Sequence, residues 1–371
     1  NIAGSVLLIA CLAATALSQP EPVPLLRERQ LDAASYVQLA RQWKEYIEKQ
    51  GESADALVNL GRAYDYSGEM DAAVNAARRA VELGPDNAKA LAFYGMLIAS
   101  HIGDVDGALD LLIRCRNVAP DYGYGLTNLA TTYMRLGRFA ESDEVFDTIF
   151  ERQIIPRQLQ DYAYNMLVGL PRGAVLLTYG DNDTFPPLAL QAGMDFRRDV
   201  AVINMSMLNV VEYCEAMFER YPSIKPGIKI EHDHKRPLHM KLIDRMVEEQ
   251  RAPIYFTAST DFDFIGFTPE LYLEGFNFKT SKRELSPEDS ALLLLEKYRL
   301  DSATDWSFAW SLEPNITHLI KNYVTAMIRL AEGGDVTDET RRRLLEKGLA
   351  IAEFHDFAKM SLYIERSLKG K

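Results

Sequence analysis

Between residues 54 and 156 the chain repeats itself with a period near 34 residues, and this feature restricts its fold more than any other. The first copy, residues 54 to 87, carries Leu57, Leu60, Gly61, Tyr64, Gly68, Ala73, Ala77, Ala80 and Pro85. The second, 88 to 122, carries Leu91, Tyr94, Gly95, Ile98, Gly103, Ala108, Leu112, Cys115 and Pro120. The third, 123 to 156, carries Leu126, Leu129, Ala130, Tyr133, Gly137, Phe139, Ser142, Phe146, Ile149 and Pro156. In the first copy Gly61 and Ala73 let two helices approach closely, Gly68 permits the turn between them, and Pro85 ends the second. The second copy is longer by one residue after its first helix, which puts an insertion at the turn Ser100 to Asp104. One hairpin cannot bury its apolar face alone, so three in series predict a stack with a continuous core.

These spacings resemble the tetratricopeptide pattern. Residues 34 to 50 and 157 to 168 then read as capping helices. The resemblance turns the first helix of each hairpin toward a concave groove. The repeat phase assigns to it Asp55, Val58, Arg62, Asp65 and Tyr66, then Lys89, Ala92, Met96, Ala99 and Ser100, then Tyr124, Thr127, Thr131, Met134 and Arg135. Such a mixed surface suits a peptide or a partner helix. The alternative is a groove filled by the protein's own C-terminal part.

Residues 1 to 20 contain no charged side chain, and Ile2 to Leu17 reads IAGSVLLIACLAATAL. About twenty uncharged residues at ~1.5 Å each can just cross a hydrocarbon core of ~30 Å. Three readings stay open: a retained anchor, a signal peptide cut near Ala14-Thr15-Ala16, or a lipoprotein start with Cys11 as the lipidated residue. The proline-rich run from Gln19 to Pro24 is expected to be an extended spacer between membrane and folded part.

After Pro171 the periodicity changes. Ala174 to Tyr179, Val200 to Met205 and Pro253 to Ala258 are short apolar runs of the kind that form buried parallel strands, with helical segments between them. Ligands of such sheets bind at the loops after the strand C-termini. The first of these loops is Gly180-Asp181-Asn182-Asp183-Thr184-Phe185-Pro186-Pro187. Two carboxylates, an amide and a hydroxyl there could bind a divalent metal, a sugar, or a phosphate through metal. They could equally cap backbone N–H groups and start a helix at Pro186.

The stretch from Leu176 to Tyr213, with its GDNDTFP loop and a following RRDVAVINMSMLN segment, resembles the extramembrane C-terminal region of bacterial protein O-mannosyltransferase-like multi-pass proteins. The resemblance continues at intervals to about residue 335. It implies an extracytoplasmic domain associated with a membrane system, with Asp181, Asn182, Asp183, Thr184 and Asn209 at recurrent positions of the family and no assigned role. Glycosyl transfer would belong to the polytopic half of that family, so no transferase activity is carried over.

With 53 acidic and 41 basic residues the net charge is −12, and no basic stripe interleaved with aromatics is present, which argues against nucleic acid as a partner. Cys11, Cys115 and Cys214 have no metal-type spacing, and Cys115 falls at an apolar helical position. Glu231, His232, Asp233, His234 and His239 hold ligand types for a transition metal, but Lys235, Arg236 and Pro237 interrupt them, so a charged loop is the expectation. The aromatic run from Tyr255 to Phe278 is expected to be strand and core. Residues 288 to 300, 315 to 333 and 336 to 367 return to helical periodicity.

The expected architecture is α plus α/β. Residues 1–19 form a membrane anchor or signal or lipoprotein segment, and 20–33 a linker. Residues 34–170 form a tetratricopeptide helical-hairpin solenoid with its caps, 171–285 a small parallel α/β domain, and 286–371 C-terminal helical hairpins. The expected function is that of a non-catalytic, membrane-anchored scaffold on the periplasmic or extracytoplasmic face of a bacterium. It would dock onto or stabilise a larger membrane protein complex, with no cofactor and no metal. The alternative is a glycan- or metal-binding enzyme or accessory domain of cell-envelope glycosylation that uses the GDNDTFP loop.

Overall fold

The computed structural model describes residues 18–25, 30–305, 314–333 and 335–370. Cys11 and the apolar run that ends at Leu17 lie outside the described residues. No helix among those described is long and apolar enough to cross a membrane.

Among the described residues eight α-helices precede the sheet: α1 (Ala33–Gln50), α2 (Ala54–Ser67), α3 (Met70–Leu83), α4 (Ala88–Leu97), α5 (Val105–Val118), α6 (Gly123–Arg135), α7 (Phe139–Glu151) and α8 (Arg157–Val168). Helices α2 to α7 pair into the three hairpins. Short polar side chains start several of them: Ser53 accepts from Ala56 N, Asn87 from Ala90 N, and Asp104 from Gly107 N. The close approach needed at Gly61 is real, since a Cβ there would lie 2.8 Å from Phe93 Cε1. The extra residue of the second repeat is absorbed by a π-turn, Ile98–Ile102, which Gly103 closes in the left-handed region at φ 82°.

The sheet has order β2-β1-β3-β5-β4. Strands β1 (Val175–Thr178), β2 (Ala201–Asn204) and β3 (Ile254–Phe256) are parallel, with Val175 opposite both Ala201 and Ile254. The expectation of a parallel domain is corrected by β4 (Leu271–Glu274) and β5 (Asn277–Thr280), an antiparallel hairpin that extends the sheet from β3 and makes it mixed. The cause is local. Gly275 at φ 61° begins a two-residue turn within the aromatic run, which folds that run back on itself.

The remaining helices are α9 (Asp181–Met194), α10 (Val211–Arg220), α11 (Leu238–Glu249), the short α12 (Phe262–Ile265), α13 (Pro287–Glu296), α14 (Pro314–Glu332), α15 (Asp338–Phe354) and α16 (Ala358–Leu368). Helices α14, α15 and α16 pack in succession.

One apolar core runs from Leu91 to Ile364, so the change of secondary structure at residue 171 does not divide the packing. Helix α8 is its hub. Tyr162 and Tyr323 share a ring cluster with Phe276, and Asn165 Nδ2 donates to Tyr323 OH at 2.7 Å and to Arg299 O at 3.0 Å. Asn322 Nδ2 donates in turn to Tyr162 OH at 2.9 Å. These bonds join the end of the solenoid to the C-terminal helices.

Candidate functional site

The concave face is not the open groove that repeat phase suggests. Val58, Ala92 and Met134 are fully buried, and Arg62 and Thr127 nearly so. Asp55 and Lys89 are exposed and 3.5 Å apart, Ser100 is exposed, and Asp65, Tyr66, Met96, Tyr124, Thr131 and Arg135 are half-buried. Ala99 is buried as well. Desolvation pushes the Asp65 carboxyl above its ordinary value, opposed by His101 of the π-turn at 3.8 Å. Burial likewise pushes the Tyr124 hydroxyl up.

Part of the reason is the segment expected to be a spacer. Val23 and Leu25 are buried, Val23 N donates to Asn59 Oδ1 at 2.7 Å, and Arg62 Nη1 lies 3.5 Å from Val23 O. Trp43 Nε1 donates to Glu21 O at 3.1 Å. Prolines at 20, 22 and 24 hold the strand extended and leave its remaining N–H and C=O groups to side chains of α1 and α2. Arg62 goes further. Its guanidinium also lies 5.9 Å from the rings of both Phe93 and Tyr124, which links the docked segment to the second and third hairpins. The sequence marked these prolines as stiff but carried no sign of their docking partner.

At the other end of the concave face stands the GDNDTFP loop. Asp183 is buried, and its carboxylate accepts four hydrogen bonds: from Gly180 N at 2.7 Å, Tyr179 N at 3.1 Å, Thr257 Oγ1 at 2.6 Å and Ser259 Oγ at 2.8 Å. Thr184, also buried, donates to Gly180 O at 2.7 Å, accepts from Asn204 Nδ2 at 3.0 Å, and lies 2.7 Å from Thr178 Oγ1. Asn204 Oδ1 caps the turn after β2 by accepting from Ser206 N at 2.9 Å. The loop therefore ties together the ends of β1, β2 and β3. The helix begins at Asp181 rather than at Pro186, because Asp183 reaches back to Gly180 N and supplies the first-turn acceptor.

Asn182 is half-buried on the loop, and Asp181 is exposed. Asn209 does not join them. Its Oδ1 lies 2.9 Å from Nδ1 of the buried His239, whose Nε2 lies 2.9 Å from Phe264 O. His239 is buried whereas His232 and His234 are exposed, and Asp233 accepts from Lys241 Nζ and two backbone N–H groups, which hold its carboxyl well below the usual range. Among the described residues no three His, Cys, Asp or Glu side chains gather to hold a metal. Cys115 and Cys214 are buried, and burial pushes their thiols up to about 11 and about 12.

Solenoid and loop meet at a cavity of about 170 Å³, lined by Thr131 and Met134 of α6, Tyr179 after β1, Asp181, Thr184 and Phe185 of α9, and Asn204, Ser206 and Met207 after β2. Two expected groove residues and two expected loop residues thus share one pocket. The sequence offered both halves separately. Tyr179, Phe185 and Met207 could be found only once the strand ends faced α6.

Residues 54–87 match the tetratricopeptide repeat family, and residues 159–237 match the family described as TMEM260-associated domain 2. The first match coincides with the first hairpin, α2 and α3. The second begins inside α8 and spans β1, β2 and the GDNDTFP loop. No curated protein matches the chain. Among solved structures, a crystal structure of MamA is 16% identical, with a TM-score of 0.32, covering 50% of this chain and 89% of that one. A tetratricopeptide repeat protein from Parabacteroides merdae is 13% identical, with a TM-score of 0.32, covering 85% of this chain and 93% of that one. At these values neither likeness carries an argument.

Proposed function

We propose that this chain is a non-catalytic scaffold on the extracytoplasmic face of a bacterial membrane, which holds a partner protein of a larger membrane assembly against its repeats and the adjoining pocket. One observation carries the reading. Asp183, the best-placed carboxylate of the GDNDTFP loop, has its acceptor capacity taken up by four internal hydrogen bonds, while Ser100, Met96, Thr131 and Asp181 keep surface on the concave side. A loop built this way fastens strand ends together. A general base or metal ligand would need a lone pair directed at solvent or substrate. The repeat family supports protein interaction as the general role. The uncharged stretch before Pro20, and the resemblance to the extramembrane region of O-mannosyltransferase-like proteins, support the membrane setting.

Extraction of native membranes in mild detergent tests the proposal. The expected result is a stoichiometric partner that co-elutes with the chain, and that is lost from a Met96→Glu, Ser100→Glu double variant. An isolated monomer from native membranes would sink it. A glycan or divalent cation on the loop, the competing reading, would have to work through Asp181. Calorimetry with calcium, magnesium and simple sugars on the wild type and Asp181→Ala separates the two. Binding that depends on Asp181 would favour that competitor.

A further inference from the structure

The start of the solenoid holds an extended segment chiefly through that segment's main chain. Val23 N donates to Asn59 Oδ1 at 2.7 Å, Val23 O lies 3.5 Å from Arg62 Nη1, and Glu21 O accepts from Trp43 Nε1 at 3.1 Å. All three readers are side chains of α1 and α2. Pro22 and Pro24 flank Val23 and have no N–H, so one acceptor, Asn59, serves the stretch from 22 to 24. Side-chain selection rests on burial. Val23 sits in a small apolar cluster with Tyr36, Trp43 and Leu60, apart from the main core, and Leu25 is buried two residues on, while Glu21 and Pro22 stay exposed.

The readers are held by the solenoid rather than by the segment. Asn59 Nδ2 donates to Asp55 O at 2.8 Å, which fixes the amide with its oxygen toward Val23, and Arg62 lies 5.9 Å from the rings of Phe93 and Tyr124. Tyr36 of α1 and Tyr66 of α2 meet edge-on at 5.0 Å. A trench preformed in this way, with an indole N–H aimed at a main-chain carbonyl, suits a proline-rich strand, whose stiffness lowers the entropy lost on docking. Because the polar contacts go to main chain, another strand of the same pattern can take the same place. We propose that the trench between α1 and α2 is a recognition site for a proline-rich extended segment of the scaffold's partner, and that Glu21 to Leu25 occupies it as a tethered competitor. The proposal rests on the scaffold reading for its partner but on the docked segment alone for its ligand class.

The test uses the intact chain and a fluorescein-labelled peptide of residues 19 to 25, QPEPVPL. A segment joined to the chain competes at an effective concentration on the order of millimolar, so the peptide should bind the Val23→Asp chain about tenfold or more tightly than the wild type. Binding should also return the Trp43 indole N–H resonance of that variant to its wild-type position. Pro22→Gly with Pro24→Gly, which loosens the segment without adding a charge, should raise the affinity in the same direction. Adding Asn59→Ala to Val23→Asp should abolish it. No binding to either released chain, equal binding to the wild type, or equal binding of a peptide with alanine in place of its three prolines would overturn the proposal. Such a failure is separate from that of the scaffold reading, which falls if native membranes yield an isolated monomer.

Discussion

The first and third hairpins are copies of one pattern, yet they end in different surroundings. The first is covered by an extended segment, Glu21 to Leu25, through three side-chain contacts to main chain, and its apolar residues sit in two small clusters of their own. The third is welded to the sheet. Helix α7 packs against α9 so closely that a Cβ on Gly193 would lie 2.3 Å from Phe150 Cδ1, and Asp143 accepts from Arg220 of α10 at 2.9 and 3.3 Å. Repeats of a solenoid contact mainly their neighbours, so a disturbance should stay local at the free-standing end and spread at the welded one.

The strongest way to break that comparison is Asp183→Ala. It leaves the buried Thr257 hydroxyl, the half-buried Ser259 hydroxyl and two backbone N–H groups short of an acceptor, and should cost about 3–4 kcal/mol in denaturant unfolding of the whole chain. A loss below about 1 kcal/mol would mean the loop is not the fastening described. Next is Gly193→Ala, where overpacking against Phe150 should cost about 1–3 kcal/mol and lower amide exchange protection in α7 and α9 but not in α2. Equal loss in α2 would contradict the separation of the two ends.

At the other end, Val23→Asp should release the docked segment for about 1.5–2 kcal/mol of lost burial. Exchange of the Trp43 indole N–H should speed up while α7 and α9 keep their protection, and an unchanged indole exchange rate would show that the segment contributes nothing. The smallest effect is a pH term within the welded half. Burial pushes His355 below its ordinary value of 6.5, partly offset by the bond between Nε2 and Ala303 O. A depressed folded value means that its stabilisation is present above pH 6.5 and is lost as pH falls below that. His355→Gln should flatten the midpoint of thermal unfolding below pH 6.5, and an unchanged slope would remove this source.

Much of the fold was legible because it is local. The glycines and small residues of the repeat, the strand runs Ala174 to Tyr179, Val200 to Met205 and Pro253 to Ala258, and even the single-residue insertion near Ser100 declare themselves through spacing, since helix and strand periods and turn chemistry act over a few residues. The aromatic run was read as strand and core, but its pairing as the antiparallel β4–β5 hairpin was not, although Gly275 held the turn signal.

The candidate site was legible only in pieces, and the expected groove shows why. Repeat phase assigns Val58, Arg62 and Met134 to the concave side, but phase cannot say what covers a side chain, and all three are buried. The cover comes from Val23 at one end and from α9 at the other, and the Asp183 network reaches Thr257 and Ser259, 74 and 76 residues away. The sequence by itself determined that these residues form hairpins, strands and an acidic loop, because dihedral preference and apolar period are properties of neighbours. That Asp183 is bound by groups at the ends of β1 and β3, and that Asp181 lines a pocket with residues of α6, was decided only in the tertiary structure, because hydrogen bonding and burial depend on distant segments that folding brings into contact.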